Sequence, residues 1–251
     1  MSTGTLGWGI LGAGNIARKL AAAVQQHEGS ELLAVASRTP TKAAEFATEF
    51  GIDGSDYETL LKRSDIDLVY VATTHNFHFD NARQALQHGK SVLVEKPFTV
   101  NASQAQQLIE LAREQGVFLM EAIWTRFLPA QVQLKAQLEQ GLIGELRQLN
   151  ISFGAFVPPH YETRLKDPNL SGGVTLDMGI YPLTFANFLV GERPLEVKSM
   201  AEFGSTGVDE WANYLLRYPS GVMVNISTSC SLKMKPEAMI YGSQGYIEFP
   251  E

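Results

Sequence analysis

A glycine-rich turn after the first apolar run is the feature that most constrains the fold of this chain. Residues 9–17 read Gly-Ile-Leu-Gly-Ala-Gly-Asn-Ile-Ala and contain the pattern Gly-x-Gly-x-x-Ala. Gly12 permits a tight strand-to-helix turn, Gly14 lets a pyrophosphate approach the backbone, and Ala17 lets the helix pack closely on its strand. This context favours a dinucleotide site over a glycine turn that binds nothing. The predicted cofactor-binding residues of the turn are Gly12, Gly14, Asn15 and Ile16.

The first 120 residues alternate short apolar runs with amphipathic stretches, which is typical of a parallel sheet covered by helices on both faces. Thr39-Pro40 predicts the start of one helix, Asn101 caps another, and Gly116 ends it. A further helix with Ala82, Ala85 and Leu86 on one face ends at Gly89. Strands are predicted at 6–11, 31–36, 68–72, 91–94 and 117–120.

After about residue 123 strand-like runs follow one another directly, which indicates a mostly antiparallel sheet. Helices are predicted at 127–140 and 174–190, and strands at 145–157, 196–203, 211–218, 222–229, 238–241 and 246–249. We therefore predict an α/β protein with a boundary near 122–126: an NADP-binding Rossmann domain (1–122) and an α+β domain for substrate binding and dimerisation (123–251). The chain ends on a strand-like run, so we expect either a natural C-terminus beyond residue 251 or an edge buried in an oligomer.

Charge, cysteine content and hydropathy exclude several classes of protein. Twenty basic and 27 acidic residues give a formal net charge of −7, without a run of Lys or Arg that would bind nucleic acid or an anionic membrane. The single Cys230 cannot form an internal disulfide, and the histidine spacing does not match a zinc site. No apolar stretch approaches the roughly 18 residues of a membrane span. We expect a cytoplasmic protein without a metal.

The residues after the second predicted strand indicate which dinucleotide is bound. An acidic residue about 20 positions after the glycine turn is common for NAD, whereas a nearby Arg accommodates the 2′-phosphate of NADP. Here the strand is followed by Ser37-Arg38, without an acid. Because a hydroxyl and a guanidinium suit a phosphate, the sequence predicts NADP. The alternative is NAD, with Arg38 as a solvated surface residue.

Three further motifs accompany the glycine turn. Glu95-Lys96-Pro97 follows a predicted strand, residues 120–127 read Met-Glu-Ala-Ile-Trp-Thr-Arg-Phe, and Gly172-Gly173 precedes Asp177-Met178-Gly179-Ile180-Tyr181. With the glycine turn, they make the chain resemble the Gfo/Idh/MocA oxidoreductase family over essentially its whole length. The Trp-Thr-Arg-Phe run and Tyr181 are most similar to the branch of dimeric trans-dihydrodiol and NADP-dependent D-xylose dehydrogenases. Many relatives instead have His at position 181 and Pro near Thr74-His75, so their mechanism transfers less well.

The resemblance implies hydride transfer between a nicotinamide and a CH–OH or carbonyl carbon of a sugar, polyol or trans-dihydrodiol. Lys96 lies just past a strand end, where open α/β sheets bind ligands. Asp177 and Tyr181 are four residues apart and share one helical face, while Pro182 either distorts that helix or marks its start. We predict that Tyr181 exchanges the proton, that Lys96 favours its ionised form, and that Asp177 accepts a substrate hydrogen bond or orients Lys96.

The remaining candidates are predicted to line the cofactor and substrate pocket. Polar residues at strand ends are predicted to contact the cofactor, although the two histidines among them also fit polar loop positions; they are Thr73, His75, His78, Glu95 and Lys96. Aromatic planes suit a sugar face or a diol ring, and an arginine can hold hydroxyl groups. The predicted substrate-binding residues are Trp124, Arg126, Phe153, Phe156, Asp177 and Tyr181.

Two other functions fit the same pattern. One is an NAD-dependent sugar or inositol dehydrogenase. The other is a dinucleotide-sensing regulator without turnover, which the presence of both Lys96 and Tyr181 disfavours. Because a broad sheet face without helical cover favours a partner, we also predict a homodimer through the second sheet.

Overall fold

The computed structural model describes residues 4–157 and 164–250. These residues form two compact units that divide between Ala122 and Ile123. We refer to them as the N-terminal unit and the C-terminal unit, and each is described by itself.

The N-terminal unit is built on a six-stranded sheet in which all neighbouring strands are parallel. The strand order is β3-β2-β1-β4-β5-β6, the order of doubly wound dinucleotide-binding sheets. The strands are β1 (Leu6–Leu11), β2 (Ser30–Ala36), β3 (Asp53–Ser55), β4 (Leu68–Val71), β5 (Ser91–Glu95) and β6 (Leu119–Ala122). The helices are α1 (Asn15–Gln26), α2 (Pro40–Phe50), α3 (Tyr57–Leu61), α4 (His78–Gln87) and α5 (Ala102–Gln115), with a 3-10 turn at His75–Phe77.

Local sequence signals account for the ends of these helices. The Asn101 side chain accepts a hydrogen bond from the N–H of Gln104 (3.0 Å), and Gly116 ends α5 with φ +65°. Pro40 is the first residue of α2, but its predicted cap Thr39 forms no side-chain cap bond. The hydroxyl oxygen of Ser37 instead accepts from the Thr39 N–H (3.2 Å).

Both faces of the parallel sheet are covered, as its continuous apolar strands predict. One face packs α1 and α2 around Ile10 and the fully buried Phe46, and burial of such a side chain stabilises the fold by about 1.5–3 kcal/mol. The other face packs Val69 and Val92 against Leu86 of α4 and Leu108 of α5. The fold class predicted for this part of the chain is confirmed.

The C-terminal unit contains a six-stranded, mostly antiparallel sheet, as predicted. Its order is β12-β11-β7-β10-β9-β8, and only the β7–β10 pair among the described strands is parallel. The strands are β7 (Leu146–Gly154), β8 (Glu196–Phe203), β9 (Asp209–Arg217), β10 (Met223–Ser229), β11 (Glu237–Gly242) and β12 (Tyr246–Pro250). The helices are α6 (Pro129–Glu139) and α7 (Ile180–Val190), with 3-10 turns at Trp124–Phe127 and Pro168–Leu170 and a π-helical turn at Thr175–Gly179.

One face of this sheet carries the core of the unit. Phe185 and Leu189 of α7 pack on Leu149, Tyr214 and Ile226, all of which are buried. The opposite face exposes large apolar side chains, and every residue of β8 is exposed. These exposed side chains on neighbouring strands of the opposite face are Met200, Trp211, Leu215 and Met223.

The structure corrects the bounds of several predicted elements and adds one strand that was not predicted. The helix predicted at 127–140 starts at Pro129, because a proline is favoured at the first helical position. The strand predicted at 117–120 is Leu119–Ala122, and β3 was not predicted because Asp-Gly-Ser has no apolar pattern. The helix predicted at 174–190 is wrong in its first turn, which is π-helical.

Candidate active site

The glycine turn leaves the N-terminus of α1 open. Gly12 has φ +104°, and a Cβ there would lie 2.6 Å from the Ala72 carbonyl oxygen, so this position requires glycine. Gly14 precedes α1 in an extended conformation, and among the described residues no side chain caps the helix. A Cβ on Gly14 would meet none of the described heavy atoms within 4 Å. The N–H groups of Asn15 and Ile16 therefore begin a helix whose open end fits an anionic pyrophosphate.

A cavity of about 550 Å³ lies where β2 and β3 end. The Arg38 guanidinium lies 4.0 Å from the ring centroid of Phe77, a cation–π contact that places it on an aromatic surface. Arg38 also interacts with Tyr57, where burial raises the pKa of the phenol and the guanidinium partly offsets that rise. The residues around the cavity include one guanidinium and two carboxylates; they are Ser37, Arg38, Pro40, Ala43, Ala44, Gly54, Ser55, Asp56, Tyr57, Glu58 and Gln84.

The two candidate histidines are buried, which corrects the interpretation of polar loop positions. His75 begins the 3-10 turn and His78 begins α4, and their ring centroids are 5.7 Å apart. The ring nitrogens of His78 lie at hydrogen-bond distance from two carbonyl oxygens, that of Pro97 (Nδ1, 2.8 Å) and that of Thr73 (Nε2, 3.1 Å). The ring therefore bridges the segments that follow β4 and β5. Asn81 was not predicted from the sequence; its amide donates to the Thr73 hydroxyl (3.0 Å).

Lys96 is half-buried directly after β5, and its peptide bond with Pro97 is cis. Its backbone N–H donates to Oε2 of Glu95 (3.1 Å), while the hydroxyl of the buried Tyr70 donates to Oε1 of the same carboxylate. Burial raises the pKa of Glu95, and the hydrogen bond from Tyr70 and the contacts with Lys96 partly offset this effect. Both oxygens of Glu95 are thus engaged within the N-terminal unit, and Tyr70 was not predicted.

In the C-terminal unit, the π-helical turn carries Asp177 and leads into the helix that carries Tyr181. Asp209 of β9 holds the start of this turn, because its Oδ2 accepts from the backbone N–H of Thr175 (2.8 Å) and from the Thr175 hydroxyl. Pro182 is the third residue of α7, so the distortion expected near it lies in the turn before that helix. Such turns are frequent at functional sites.

Asp177 forms an ion pair that the sequence analysis missed. Nη2 of Arg164 lies 2.8 Å from Oδ1 of Asp177. The Asp177 side chain is only 13% exposed, so the guanidinium stabilises a largely buried negative charge.

Aromatic rings surround Tyr181 within the same unit. Its ring centroid lies 5.7 Å from that of Phe153 and 6.4 Å from that of Trp124. Arg126 is placed differently, with its guanidinium 5.3 Å from the ring centroid of Phe188. Phe156 is 70% exposed and lines a small cavity with Val157, Leu165, Lys166, Cys230 and Ser231. The structure therefore brings Trp124 and Phe153 to Tyr181, while Arg126 and Phe156 make other contacts.

A metal site and a membrane-spanning helix are both absent from the part of the chain that the structure describes. No cluster of three or more His, Cys, Asp or Glu side chains there could hold a metal ion. None of its helices is long and apolar enough to cross a membrane.

Family models match both units of the chain. Residues 6–123 match the oxidoreductase family with an NAD-binding Rossmann fold, and residues 132–248 match the Gfo/Idh/MocA C-terminal domain. The chain belongs to the Gfo/Idh/MocA family. As a member of that family it is an NAD(P)-binding oxidoreductase, a dehydrogenase or reductase that acts on CH–OH groups of small molecules.

This Gfo/Idh/MocA protein is similar to individual proteins of known name or structure. The chain is 39% identical to trans-1,2-dihydrobenzene-1,2-diol dehydrogenase of Mus musculus, over 97% of this chain and 74% of the relative. Among solved structures, an aldose–aldose oxidoreductase from Caulobacter crescentus in complex with glycerol is 27% identical with a TM-score of 0.90, over 98% of this chain and 77% of the other. A 3-ketoreductase from Actinomadura kijaniata in complex with NADP is 30% identical with a TM-score of 0.88, over 97% and 75%.

Proposed function

We propose that this protein is an NADP-dependent dehydrogenase or reductase of a sugar, a polyol or a trans-dihydrodiol. The proposal rests mainly on Tyr181, a half-buried tyrosine whose ring lies near the rings of Trp124 and Phe153. The ion-paired Asp177 lies in the turn directly before its helix. A proton-exchanging hydroxyl beside aromatic surfaces suits a sugar or diol substrate.

The preference for NADP rests on the residues after β2. Ser37 and Arg38 line the cavity at the strand end, and a guanidinium suits a 2′-phosphate through charge-assisted hydrogen bonds. The Actinomadura kijaniata reductase was solved with NADP, which supports the same choice. NAD remains the alternative cofactor.

The proposed roles of the residues follow from their chemistry. When bound, the nicotinamide supplies the acceptor or donor of the hydride at its C4. During oxidation the hydride leaves the carbinol carbon with its electron pair, and the oxygen of Tyr181 takes the hydroxyl proton; reduction returns that proton to the carbonyl oxygen. The proposed role of Lys96, directly after β5, is to supply an ammonium that stabilises the negative charge developing on oxygen during the reaction. Asp177 accepts a hydrogen bond from a further substrate hydroxyl.

The substrate class follows from the aromatic surfaces and is supported by the relatives. Trp124 and Phe153 offer ring faces and edges to the C–H surface of a sugar or to a diol ring. The mouse relative is named for a trans-dihydrodiol and the Caulobacter crescentus relative for aldoses.

Absorbance of the reduced nicotinamide during turnover tests this function. NADP⁺ and NAD⁺ are tested separately with D-xylose, D-glucose, myo-inositol and a trans-dihydrodiol. We expect reduction of NADP⁺ with at least one of these substrates. Turnover with NAD⁺ alone supports the NAD-dependent sugar or inositol dehydrogenase. Tight binding of NADP(H) without turnover of any substrate supports the dinucleotide-sensing regulator instead.

We propose in addition that the protein forms a homodimer through the second sheet. The face opposite the core carries the exposed side chains of Met200, Trp211, Leu215 and Met223. Several exposed large apolar side chains on one sheet face favour association with a second copy in a two-fold arrangement. The cytoplasmic location expected from the sequence stays a prediction.

A further inference from the structure

The segment that carries Lys96 is held by side chains rather than by a strand. β5 ends at Glu95, so the regular hydrogen bonds of the sheet end where the lysine begins. Because Pro97 has no N–H, residues 96–98 contain only two backbone donors, those of Lys96 and Phe98. Both of them donate to carboxylates: the Lys96 N–H to Glu95 Oε2 (3.1 Å) and the Phe98 N–H to Glu121 Oε1 (2.8 Å).

Each carboxylate is itself placed by a neighbouring strand. Glu95 is buried and accepts from the hydroxyl of Tyr70, which lies on β4 with a fully buried side chain. Glu121 lies on β6, half-buried and opposite Val94 of β5 in the parallel register. Residues 96–98 are therefore held at two points. Tyr70 of β4 holds the Lys96 N–H through Glu95, and Glu121 of β6 holds the Phe98 N–H.

We propose that Glu121 and Tyr70 are positioning residues for Lys96, acting through the backbone N–H groups on either side of it. The inference rests on the proposed catalytic role of Lys96. Hydrogen bonds from an N–H to a carboxylate are roughly twice as strong as neutral ones, so two of them hold a short segment firmly. Firm placement matters because a displacement of about 1 Å at a catalytic group can lower the rate about 100-fold.

The central experiment compares Glu121→Ala with Glu121→Gln, which retains an acceptor oxygen in the same place. We expect Glu121→Ala to lower kcat about 10- to 100-fold, while the substrate KM and the Kd of NADP each change less than about threefold. Glu121→Gln should keep kcat within about fivefold of the wild type, because a neutral acceptor still holds the Phe98 N–H. Hydrogen exchange at the Phe98 amide should be faster in the alanine variant than in the glutamine variant.

Tyr70→Phe provides a second test that removes one hydroxyl and keeps the buried ring. It should lower kcat without raising the Kd of NADP. Glu110→Ala is the matched control, because Glu110 is an exposed carboxylate on α5 of the same unit. Its kcat should equal that of the wild type.

Three results overturn the inference. They are an unchanged kcat in both Glu121→Ala and Tyr70→Phe, an equal loss of kcat in Glu121→Gln and Glu121→Ala, or unchanged hydrogen exchange at Phe98. Failure of the proposed catalytic role of Lys96 is distinguishable from failure of this inference, because Lys96→Met would then retain wild-type turnover. In that case the exchange at Phe98 still reports whether Glu121 holds the segment.

Discussion

Arg164 holds Asp177 by an ion pair of 2.8 Å in the C-terminal unit, between the segment before the 3-10 turn at Pro168–Leu170 and the π-helical turn. The carboxylate is far less exposed than the guanidinium, at 13% against 31%. Loss of one partner of a largely buried pair weakens the compensation of the other charge, which costs more than loss of a surface pair. Arg164 thereby orients the residue that we propose for substrate binding.

We expect Arg164→Gln to lower kcat/KM about 10- to 100-fold, mainly by raising KM, because Asp177 loses a guanidinium that helps to orient it. Steady-state kinetics with the best substrate measures this effect, and the Kd of NADP should not change. Arg147→Gln is the matched control, since Arg147 pairs with Glu145 on the surface of the same unit. Equal kinetics for the two variants would show that the Arg164 pair is only structural.

Substitution of the proposed catalytic pair gives two distinct kinetic effects. Tyr181→Phe should lower kcat by about 10²–10⁴, the usual effect of a lost general acid–base, with the aromatic contacts to Phe153 retained. Lys96→Met should abolish most of the turnover. Near-normal rates for Tyr181→Phe would remove Tyr181 from the mechanism.

The choice of cofactor can be tested at Arg38. Arg38→Gln should raise the Kd of NADP about 10- to 100-fold and leave that of NAD nearly unchanged, because only NADP carries the 2′-phosphate that we propose the guanidinium binds. Titration of both dinucleotides by calorimetry measures the ratio. Arg83→Gln is a suitable control, since Arg83 is another exposed arginine over a phenylalanine ring, that of Phe79. Equal weakening of both dinucleotides would contradict a phosphate-specific role.

Ionisation of Tyr218 should lower the stability of the C-terminal unit at alkaline pH. Its buried hydroxyl donates to Asn187 Oδ1 (2.6 Å), and burial raises its pKa to about 12. The folded chain therefore retains this proton more tightly than the unfolded chain, whose tyrosine pKa is about 10. The stabilisation is complete below pH 10 and is lost as the pH rises toward 12.

Urea unfolding between about pH 8 and about pH 12 tests this linkage. The free energy of unfolding of the wild type should fall more steeply with pH above 10 than that of Tyr218→Phe. Tyr246→Phe changes an exposed side chain and should follow the wild type. Parallel curves for the wild type and Tyr218→Phe would exclude the effect.

The proposed dimer can be tested on the open face of the sheet. Light scattering at micromolar concentration should give twice the mass of the chain for the wild type and the mass of one chain for Leu215→Asp, because a buried charge without a partner opposes association. Leu142→Asp changes another exposed leucine of the same unit and should remain dimeric. A monomeric wild type would contradict the proposal.

Elements with a strong periodic pattern could be predicted from the sequence, and short or irregular ones could not. Strand 196–203 was predicted with the bounds that the structure has, because its run lies between clear turn signals. The three residues of β3 have too few side chains for a pattern. The π-helical turn depends on Asp209, which lies 34 residues beyond its partner Thr175.

For the candidate active site, too, local motifs could be predicted from the sequence and long-range contacts could not. The glycine turn and the residues around Lys96 are local motifs, so the sequence marks them directly. Tyr70, Glu121 and Arg164 reach their partners across 13 to 25 positions. Single residues at such separations carry no periodicity, and only the folded chain brings them together.

The open N-terminus of α1 has a consequence for the lifetime of the protein. A first helical turn that none of the described side chains caps is stabilised when an anion completes it. A ligand that binds only the folded state shifts the equilibrium away from the unfolded chain, and the shift grows with the logarithm of its concentration. Resistance to proteolysis is then expected to follow the supply of dinucleotide, so that a cell depleted of its cofactor degrades this enzyme faster.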